Sequence, residues 1–498
     1  MDAETDRQPG FSSQEDMSFW EENLLKPLVG TDLFLSACEV VKPGIMYYSD
    51  FSGYDAPRES LRVLCQYLQV HSDVLEQDVS VQCVRSCDCG RIQQDLLKQL
   101  STLLDHGESC VFGNLDHRLP DWVAEWITTV APTLNTEAAA AGKMNSDIHD
   151  FLLQHRGAVL DADSRSFCAV HKKACPVYPG CAFSRLDNTS SLASSEDAPT
   201  AWWEKPSRFQ QKPLTVSAAG LCCTDYSKLG KQKREAGPSE RWHHIWHIDR
   251  VRAAELHAED FFFTECAHAY PADKQAAGLE DLYHVVHIKT SPHHLGFPVR
   301  RPRTFTAGIS KESFVWIGPE TDEELQEMWS NLFDRDCFLT GDVYFCASDE
   351  QVSAWVSERA AKRKKKLPMN WQRQTVEQLL PMVLPVGAVS RKRKYDDVFE
   401  TGKALNGSFL CDLDHNPGYG PTAGPLFPPM DTHPSIYSYV HRRLALPLEC
   451  FSAQGLDVFP ALAGARGLTP LLPVLESLSD IDARFLAGGQ SLANCQGE

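Results

Sequence analysis

The chain of 498 residues is long enough for two or more domains, and its 43% hydrophobic and 23% charged residues are ordinary for a globular protein. No apolar run approaches the ~20 residues of a membrane span. The polar, acidic start does not match a secretory signal. Without a sign of secretion, the 17 cysteines are interpreted as reduced thiols, metal ligands or catalytic groups. A net charge of −19 argues against non-specific nucleic-acid binding but leaves room for a local basic surface.

Predicted strands and helices alternate in the first quarter of the chain. A predicted strand at Ile45–Phe51 leads through a tight turn into an amphipathic helix. Predicted strands at 79–84 and Cys110–Phe112 are followed by Asp88 and Asn114, respectively. Ligands of doubly wound sheets bind at the carboxyl ends of the strands, so these turns predict a cofactor site. Asp88 is a candidate for contacts to ribose hydroxyls, and Asn114 for a contact to an adenine amino group.

The regular alternation stops between residues 121 and 216, and we interpret this stretch as an insertion. Part of it, residues 186–197, is rich in Ser, Asn and Asp and is predicted to be a loop. Three thiols and an imidazole within about fourteen residues can close a tetrahedral zinc site, although their spacing fits no standard zinc finger. The candidate ligands are Cys168, His171, Cys175 and Cys181. Scattered reduced cysteines in a cysteine-rich chain are the alternative.

A loop with two adjacent cysteines follows the short predicted strand Pro213–Ala219. Counted from Cys223, an aromatic residue, Tyr226, follows at three residues, a Ser at four and a Gly at seven. Counted from Cys222, none of these three residues fits the same pattern. A cysteine near a glycine is most often a buried reduced thiol, so this loop needs support from the rest of the chain.

Residues 310–438 are predicted to form a second region, and residues 439–498 close the chain. The second region contains two basic runs, Lys362–Lys366 and Arg391–Lys394. Each run is short enough to be a solvated surface. The functional alternatives are contacts to nucleic-acid phosphates and a nuclear import signal.

Seven short motifs occur in an order that resembles the cytosine-C5 methyltransferase family along almost the whole chain. They are Phe51-Ser-Gly53 for F-[SA]-G, Gly113-Asn-Leu115 for G-D-I, Cys222–Gly230 for P-C-Q-x-F-S-x-x-G, Glu265-Cys-Ala267 for E-N-V, Gly296–Arg303 for G-x-P-Q-x-R-x-R, Glu449–Leu456 for E-x-x-R-L-Q-G-F, and Gly489–Leu492 for G-N-[SA]-[VM]. The long interval between the fifth and sixth motifs lies where this family has its target-recognition domain.

The motifs depart from the family pattern at several positions. Cys222 and Thr224 stand in place of the Pro and Gln that flank the family's cysteine. Asp55 and Ala56 replace a Gly-Gly pair, and Val299 replaces a Gln. Further departures are Gln490 in place of Asn, Ser86 at the usual position of a ribose-binding Glu, and a missing Arg in the sixth motif.

The resemblance implies an α/β fold with a doubly wound, Rossmann-like, S-adenosylmethionine-dependent methyltransferase sheet and a second, smaller target-recognition region. The predicted divisions are a disordered leader (1–25), the cofactor-binding half (26–120), the insertion with its candidate zinc site (121–216), the catalytic half (217–309), the target-recognition region (310–438) and a C-terminal return to the methyltransferase domain (439–498). The implied S-adenosylmethionine contacts are Phe51, Ser52, Gly53, Asp88, Asn114, Gln490 and Ser491.

The resemblance also implies a covalent mechanism. Cytosine C5 is a poor nucleophile, and addition of the Cys223 thiolate at C6 would activate it. A protonated Glu265, with its pKa raised by burial after an apolar strand, would donate to cytosine N3. Arg301 and Arg303 would hold the base carbonyl or orient Glu265 and Cys223.

The implied function is methylation of C5 of cytosine in DNA, with the target base flipped out of the stack. The basic runs predict a nuclear location, with the cytoplasm as the alternative. Two other functions fit the same residues. The chain could methylate cytosine in RNA, or it could be a catalytically degenerate methyltransferase-fold protein that binds nucleic acid or a partner.

Overall fold

The computed structural model describes residues 8–488, except residues 134, 162, 179–211, 223–224, 227–231, 272, 274–276, 402–406, 420–422, 431–433 and 459. The described residues form two compact units. The sheet unit comprises residues 25–290 and 303–329, and the smaller unit comprises residues 8–24, 291–302 and 330–488. The predicted loop at 186–197 lies outside the described residues.

The sheet unit is built on nine strands: β1 (Ile45–Asp50), β2 (Val81–Cys87), β3 (Cys110–Phe112), β4 (Arg165–Cys168), β5 (Lys173–Pro176), β6 (Leu214–Gly220), β7 (Phe261–Ala267), β8 (Tyr283–Thr290) and β9 (Arg303–Ser310). Their order across the sheet is β5-β4-β3-β2-β1-β6-β7-β9-β8. Strands β3, β2, β1, β6 and β7 are mutually parallel. Strand β9 is antiparallel to both of its neighbours, and the hairpin β4–β5 extends the sheet beyond β3.

Helices cover this sheet: α1 (Asp32–Val41), α2 (Ala56–Val70), α3 (Arg91–Asp105), α4 (Asp121–Val130), α5 (Ala138–Gln154), a short turn at Arg156–Val159, α6 (Glu240–Glu255) and the start of α7 (Asp322–Phe333). Two apolar clusters lie on opposite faces, because Phe262 packs in one while Phe261 and Phe263 pack in the other. Strand β6 is buried along residues 214–219, as expected for a central parallel strand.

This strand order confirms the predicted α/β fold. From the central strand β1, strands β2 and β3 follow on one side and β6 and β7 on the other. The antiparallel strand β9 lies between β7 and β8. The arrangement is that of a Rossmann-like methyltransferase sheet, in which ligands bind at the carboxyl ends of the strands. The turns that follow β1, β2, β3, β6 and β7 therefore meet at one edge of the sheet.

The outer edge of the sheet at β8 is covered by side chains. The backbone N–H of His287 donates to Asp322 Oδ1 at 3.1 Å, and the N–H of Lys289 donates to Gln326 Oε1 at 2.8 Å. Both acceptors lie on α7. An edge strand otherwise presents N–H groups for which another chain can compete.

A buried network of charges lies below the carboxyl ends of the strands. Asp50, Arg85, Arg118, Asp249 and Arg250 all have side chains that are at most 2% exposed. Arg118 bridges Asp50 and Asp249, and its Nη1 lies 3.1 Å from Asp249 Oδ2. Burial alone would raise the pKa of Asp249, but the three guanidinium groups hold it well below its usual range.

The leader at 1–25, for which disorder with a short helix near Trp20 is predicted, contains helices at Gln14–Ser18 and Trp20–Leu25 within its described residues. Within the smaller unit, Phe11 is fully buried and its ring lies 4.6 Å from that of Phe297. Arg466 donates to Glu21 Oε1 at 2.7 Å. Apolar burial and this ion pair order a stretch whose polar composition suggested disorder.

The smaller unit contains a four-stranded antiparallel sheet in the order β11-β10-β12-β13, formed by β10 (Leu410–Asp412), β11 (Ala423–Gly424), β12 (Ile436–Ser438) and β13 (Arg443–Leu444). Its helices are α8 (Asp349–Lys362), α9 (Val376–Val383), α10 (Val386–Glu400), α11 (Pro447–Ser452), α12 (Asp480–Gly488) and two short ones at Pro460–Ala465 and Leu472–Glu476. A short parallel pair joins Gln8–Pro9 to Arg335–Asp336. None of the described helices in either unit is long and apolar enough to cross a bilayer.

Residues 439–488 belong to this smaller unit rather than returning to the sheet unit. The reason is burial, since Leu444 and Leu446 pack in its core beside Tyr437. Glu449 is fully buried and accepts two hydrogen bonds from Arg443, at 2.7 and 2.8 Å. The glutamate of the sixth motif therefore stabilises this unit.

Candidate active site and metal cluster

The turn after β1 has an unusual backbone. Phe51, Gly53 and Asp55 all have positive φ angles, of 51°, 55° and 63°. Such angles are strained for a bulky residue, and strain of this kind concentrates at functional sites. Asp55 tolerates the conformation because its carboxylate accepts hydrogen bonds from the Tyr47 hydroxyl at 2.8 Å and the Ser86 hydroxyl at 3.3 Å. The aspartate thus adopts a left-handed geometry that glycine takes up more readily.

Asp88 joins the end of β2 to this turn. Its Oδ2 accepts from the Gly53 N–H at 3.0 Å, and its Oδ1 accepts from the Gly90 N–H at 2.9 Å. Burial raises the pKa of Asp88 to about 6, the two N–H groups oppose that rise, and the neighbouring Cys222 thiol adds to it. Each carboxylate oxygen has two lone pairs, so the group can still accept bonds from hydroxyls. A buried carboxylate beside a glycine turn can accept hydrogen bonds from the hydroxyls of a ribose.

Two other predicted cofactor residues are engaged within the protein. Ser52 is buried, and its hydroxyl accepts from the Cys87 N–H at 3.0 Å. Asn114 caps the 3-10 turn Leu115–Arg118, with Oδ1 accepting from the Asp116 N–H at 3.3 Å and Nδ2 donating to the Asp116 carboxylate at 2.8 Å. Both side chains position the strand ends. Gln490 and Ser491 lie outside the described residues.

The loop that carries the candidate nucleophile begins beside Glu265. Gly220 pairs with Glu265 in the β6–β7 register, and the Leu221 N–H donates to the Glu265 carbonyl at 3.0 Å. Cys223 itself lies outside the described residues.

The described residues of this loop are anchored to the start of α6. The Nε2 of His243 donates to the Cys222 carbonyl at 2.8 Å, and its Nδ1 accepts from the Tyr270 hydroxyl at 3.1 Å. The Tyr226 hydroxyl donates to Glu240 Oε2 at 2.9 Å, while its ring packs edge-on against that of Tyr270. His243 could not be assigned a role from the sequence, because His243, His244 and His247 lack a recognisable metal-ligand spacing. Only the fold reveals it as a loop anchor.

A second anchor holds the chain downstream of the loop. The Asp225 carboxylate accepts from the Ser239 hydroxyl at 2.6 Å and packs so closely on Gly237 that a Cβ there would lie 2.0 Å from Asp225 Oδ2. Asn145 on α5 is buried, and its amide donates to the carbonyls of Glu235 at 2.8 Å and Gly237 at 3.0 Å. The predicted insertion therefore contacts the segment that follows the nucleophile loop.

Glu265 and Arg303 form an ion pair across neighbouring strands. The Nε of Arg303 donates to Glu265 Oε1 at 2.5 Å, and each side chain is 20% exposed. The glutamate is thus only partly buried, and a guanidinium group fixes its carboxylate. This arrangement differs from the apolar enclosure that the preceding strand suggested.

Arg301 belongs to the smaller unit, where its Nη1 donates to Gln454 Oε1 and its backbone N–H donates to Ser291 Oγ at 3.0 Å. The fifth and sixth motifs are therefore in direct contact through Arg301 and Gln454. Val299, which replaces the Gln of the fifth motif, is 3% exposed and forms a parallel backbone bridge with Phe427. It is a core residue of this unit.

Three of the four predicted metal ligands come together, namely Cys168, His171 and Cys175. Cys181 lies outside the described residues. A fourth ligand, Cys110 at the start of β3, joins the other three, and all four ligand atoms lie within 4.8 Å of one another. The sequence distance of 61 residues between Cys110 and His171 hid this contact.

The two basic runs differ in their surroundings. Lys364–Lys366, just beyond the end of α8, are exposed. Lys392 on α10 is instead paired with Glu377 at 2.7 Å and Asp396 at 2.8 Å. The Arg391 guanidinium lies 3.3 Å from Asp414 Oδ1. The first run therefore offers more positive charge to a polyanion than the second.

The sequence matches no protein-family model and no curated protein. Solved structures to which this chain is similar include an E. coli prophage protein described as a DNA modification methyltransferase (10% identity over 61% of this chain and 55% of that one, TM-score 0.28), the Entamoeba histolytica methyltransferase EhMeth (11% identity over 61% of each chain, TM-score 0.29) and a variant of Spodoptera frugiperda DNMT2 (9% identity over 68% of this chain and 84% of that one, TM-score 0.25). This chain spans less than two thirds of the length of the first two.

Proposed function

We propose that this chain is an S-adenosylmethionine-dependent methyltransferase that acts on C5 of cytosine in DNA through a covalent bond to Cys223. One observation carries the proposal. The β6–β7 register brings the start of the Cys223 loop against Glu265, which Arg303 fixes from the neighbouring strand. A nucleophile and a carboxyl group at adjacent strand ends are what covalent activation of a pyrimidine requires.

The cofactor would bind at the neighbouring strand ends of the same unit. The strained turn Phe51–Gly53 and the buried carboxylate of Asp88 form a surface that fits a ribose and its attached groups. The proximity of Cys222 to Asp88 supports a cofactor position next to the nucleophile loop. S-adenosylmethionine would supply an electrophilic methyl group at this position.

The residues of the chain would then act in sequence. The Cys223 thiolate adds to C6 of cytosine, the C5–C6 π electrons shift toward N3, and Glu265, in its protonated form when the base binds, gives its proton to N3. C5 becomes nucleophilic and takes the methyl group. Loss of the proton from C5 to a base, elimination of the Cys223 sulfur and return of the N3 proton to the Glu265 carboxylate restore the aromatic ring. Arg303 keeps the Glu265 carboxyl group in place throughout.

Nucleic acid would be held in part by the exposed lysines of the first basic run. Lys364–Lys366 are exposed on the smaller unit. Phosphate contacts of this kind position a duplex without reading its sequence. Local positive charge allows a chain with a net charge of −19 to bind a polyanion.

Labelled S-adenosylmethionine, incubated with the chain and either DNA or tRNA, tests the proposal. We expect methyl transfer to DNA that is abolished in Cys223→Ala and retained in Cys222→Ala. DNA containing 5-fluorocytosine should form an adduct stable to denaturation, because C5 then has no proton to lose. Calorimetric binding of the cofactor to Cys223→Ala separates lost chemistry from lost folding.

Two results would contradict the proposal. Transfer to tRNA alone would make the chain an RNA methyltransferase. Cofactor binding without transfer to either polymer would leave a methyltransferase-fold protein that has lost its catalytic function.

A further inference from the structure

We propose that Cys110, Cys168, His171 and Cys175 bind one structural zinc ion. Each of the three sulfurs lies 3.4 Å from Nδ1 of His171. Tetrahedral zinc with its usual bond lengths of about 2.3 Å to sulfur and 2.0–2.1 Å to nitrogen separates these ligand atoms by about 3.6 Å. The four side chains thus already have the spacing of a zinc site.

The backbone around the cluster orients the ligands. Cys168 Sγ accepts from the N–H groups of Val111 and His171, both at 3.4 Å. Nε2 of His171 lies 3.2 Å from the Gly107 carbonyl and donates to it, which leaves Nδ1 as the atom facing the sulfurs. A ligating imidazole characteristically uses its other nitrogen in this way, because the outer hydrogen bond fixes the ring and its tautomer.

The hairpin β4–β5 presents three of the four ligands. Cys168 ends β4, Cys175 lies in β5, and His171 occupies the turn between them. Lys172 has a φ angle of 55°, and this left-handed residue reverses the chain within a few residues. Cys168 also pairs with Phe112, so the hairpin is aligned against β3, where Cys110 supplies the fourth ligand.

The donor set selects the metal and its role. Three thiolates and one imidazole suit zinc, whereas magnesium and calcium require oxygen ligands. Four protein ligands close a tetrahedral site and leave no position for a substrate or a reactive water. The ion would therefore be structural. A disulfide would use two of the sulfurs and would not account for an imidazole nitrogen equidistant from all three.

The ion would join the insertion to the central sheet. Cys110 begins β3, and the other ligands belong to the inserted hairpin. The short ladder between β3 and β4 has a single residue pair, Phe112 with Cys168, so backbone hydrogen bonds alone hold the hairpin weakly. Zinc would supply the missing cross-link, and this role is independent of methyl transfer.

Metal analysis of the purified full-length chain tests the site. We expect about one zinc per chain, and loss of most of it in Cys110→Ser and His171→Ala. Cys181→Ser is the matched control and should retain the metal, because the four-ligand set is complete without that residue. Cobalt substituted into the wild-type chain should show thiolate charge-transfer bands and tetrahedral d–d bands.

A second measurement needs no variant and covers the case in which Cys110→Ser fails to fold. Alkylation followed by mass spectrometry should find Cys110, Cys168 and Cys175 protected in the zinc-loaded chain and reactive after chelation. Protection of Cys181 with a reactive Cys110 would overturn the assignment. A chain without zinc after expression in zinc-supplemented medium, and without the cobalt spectrum, would overturn the site altogether.

Discussion

Replacing His243 by Phe should slow methyl transfer without preventing cofactor binding. His243 is 5% exposed, and its imidazole donates to the Cys222 carbonyl at 2.8 Å while accepting from the Tyr270 hydroxyl at 3.1 Å. Phe fills the same space but can make neither bond. Removing one partner of a buried hydrogen bond costs ~1–3 kcal/mol. The position of the residue next to Cys223 would no longer be fixed by this contact.

If this hydrogen bond stabilises the loop conformation that reacts, its loss should lower the rate constant kcat roughly 5- to 150-fold. The assay is single-turnover transfer from labelled S-adenosylmethionine to DNA, with cofactor affinity measured in parallel. His247→Phe is the matched control. His247 is a buried histidine one turn further along α6, and its ring packs against that of His149.

Equal slowing of transfer by His247→Phe and His243→Phe would contradict a role of the loop contact, because burial on α6 would then be responsible. A rate for His243→Phe within about twofold of the wild-type rate would contradict it as well. Thermal unfolding of both variants shows whether a general loss of stability contributes. Loss of the hydrogen bond from the Tyr270 hydroxyl should lower the Tm of His243→Phe, and the Tm of His247→Phe gives the comparison.

Three further predictions follow from the charges of the chain. Burial raises the pKa of Asp88 to about 6, so the carboxylate forms as the pH rises through 6, and calorimetry should show cofactor affinity rising from pH 5 to 7.5. Because the folded-state pKa lies above the ordinary value of 3.8, the contribution of Asp88 to folding stability is present at low pH and is lost as the pH rises through 6. Replacing Lys364–Lys366 by Gln should weaken DNA binding and reduce the salt slope by up to ~0.9 per phosphate contact, whereas Lys392→Gln should leave that slope unchanged in titrations at several salt concentrations. Arg118→Met should lower the free energy of unfolding in urea by ~3–5 kcal/mol, because Asp50 and Asp249 lose a buried partner.

The alternation of strands and helices was predictable where the strands are apolar runs followed by turns, as at β1 and β6, but the short polar strands β4 and β5 gave no such signal. That pattern placed Asp88 and Glu265 at strand ends. In the structure Asp88 directly follows β2, whereas Glu265 lies within β7, two residues before its end. The sequence could not show which residues hold the loops. His243 and Asn145 act through single hydrogen bonds to backbone carbonyls, and such bonds leave no periodic signal.

The metal cluster shows a related limit. Spacing along the chain groups Cys168, His171 and Cys175, but Cys110 joins them only because β3 and the inserted hairpin share one sheet. A departure from a motif at one position can likewise depend on residues that are distant in sequence. Asp55 can stand in a glycine position because Tyr47 and Ser86, from two neighbouring strands, hydrogen-bond its carboxylate.

The covered edge at β8 has a consequence for how copies of this chain meet one another. Two N–H groups that an incoming strand would need are already occupied by Asp322 and Gln326. A second copy would have to displace α7 before it could extend the sheet there, so this margin resists strand-by-strand self-assembly. In concentrated solution, the covered edge at β8 therefore resists aggregation by pairing of edge strands between copies. Substitutions of Asp322 and Gln326 would remove that protection.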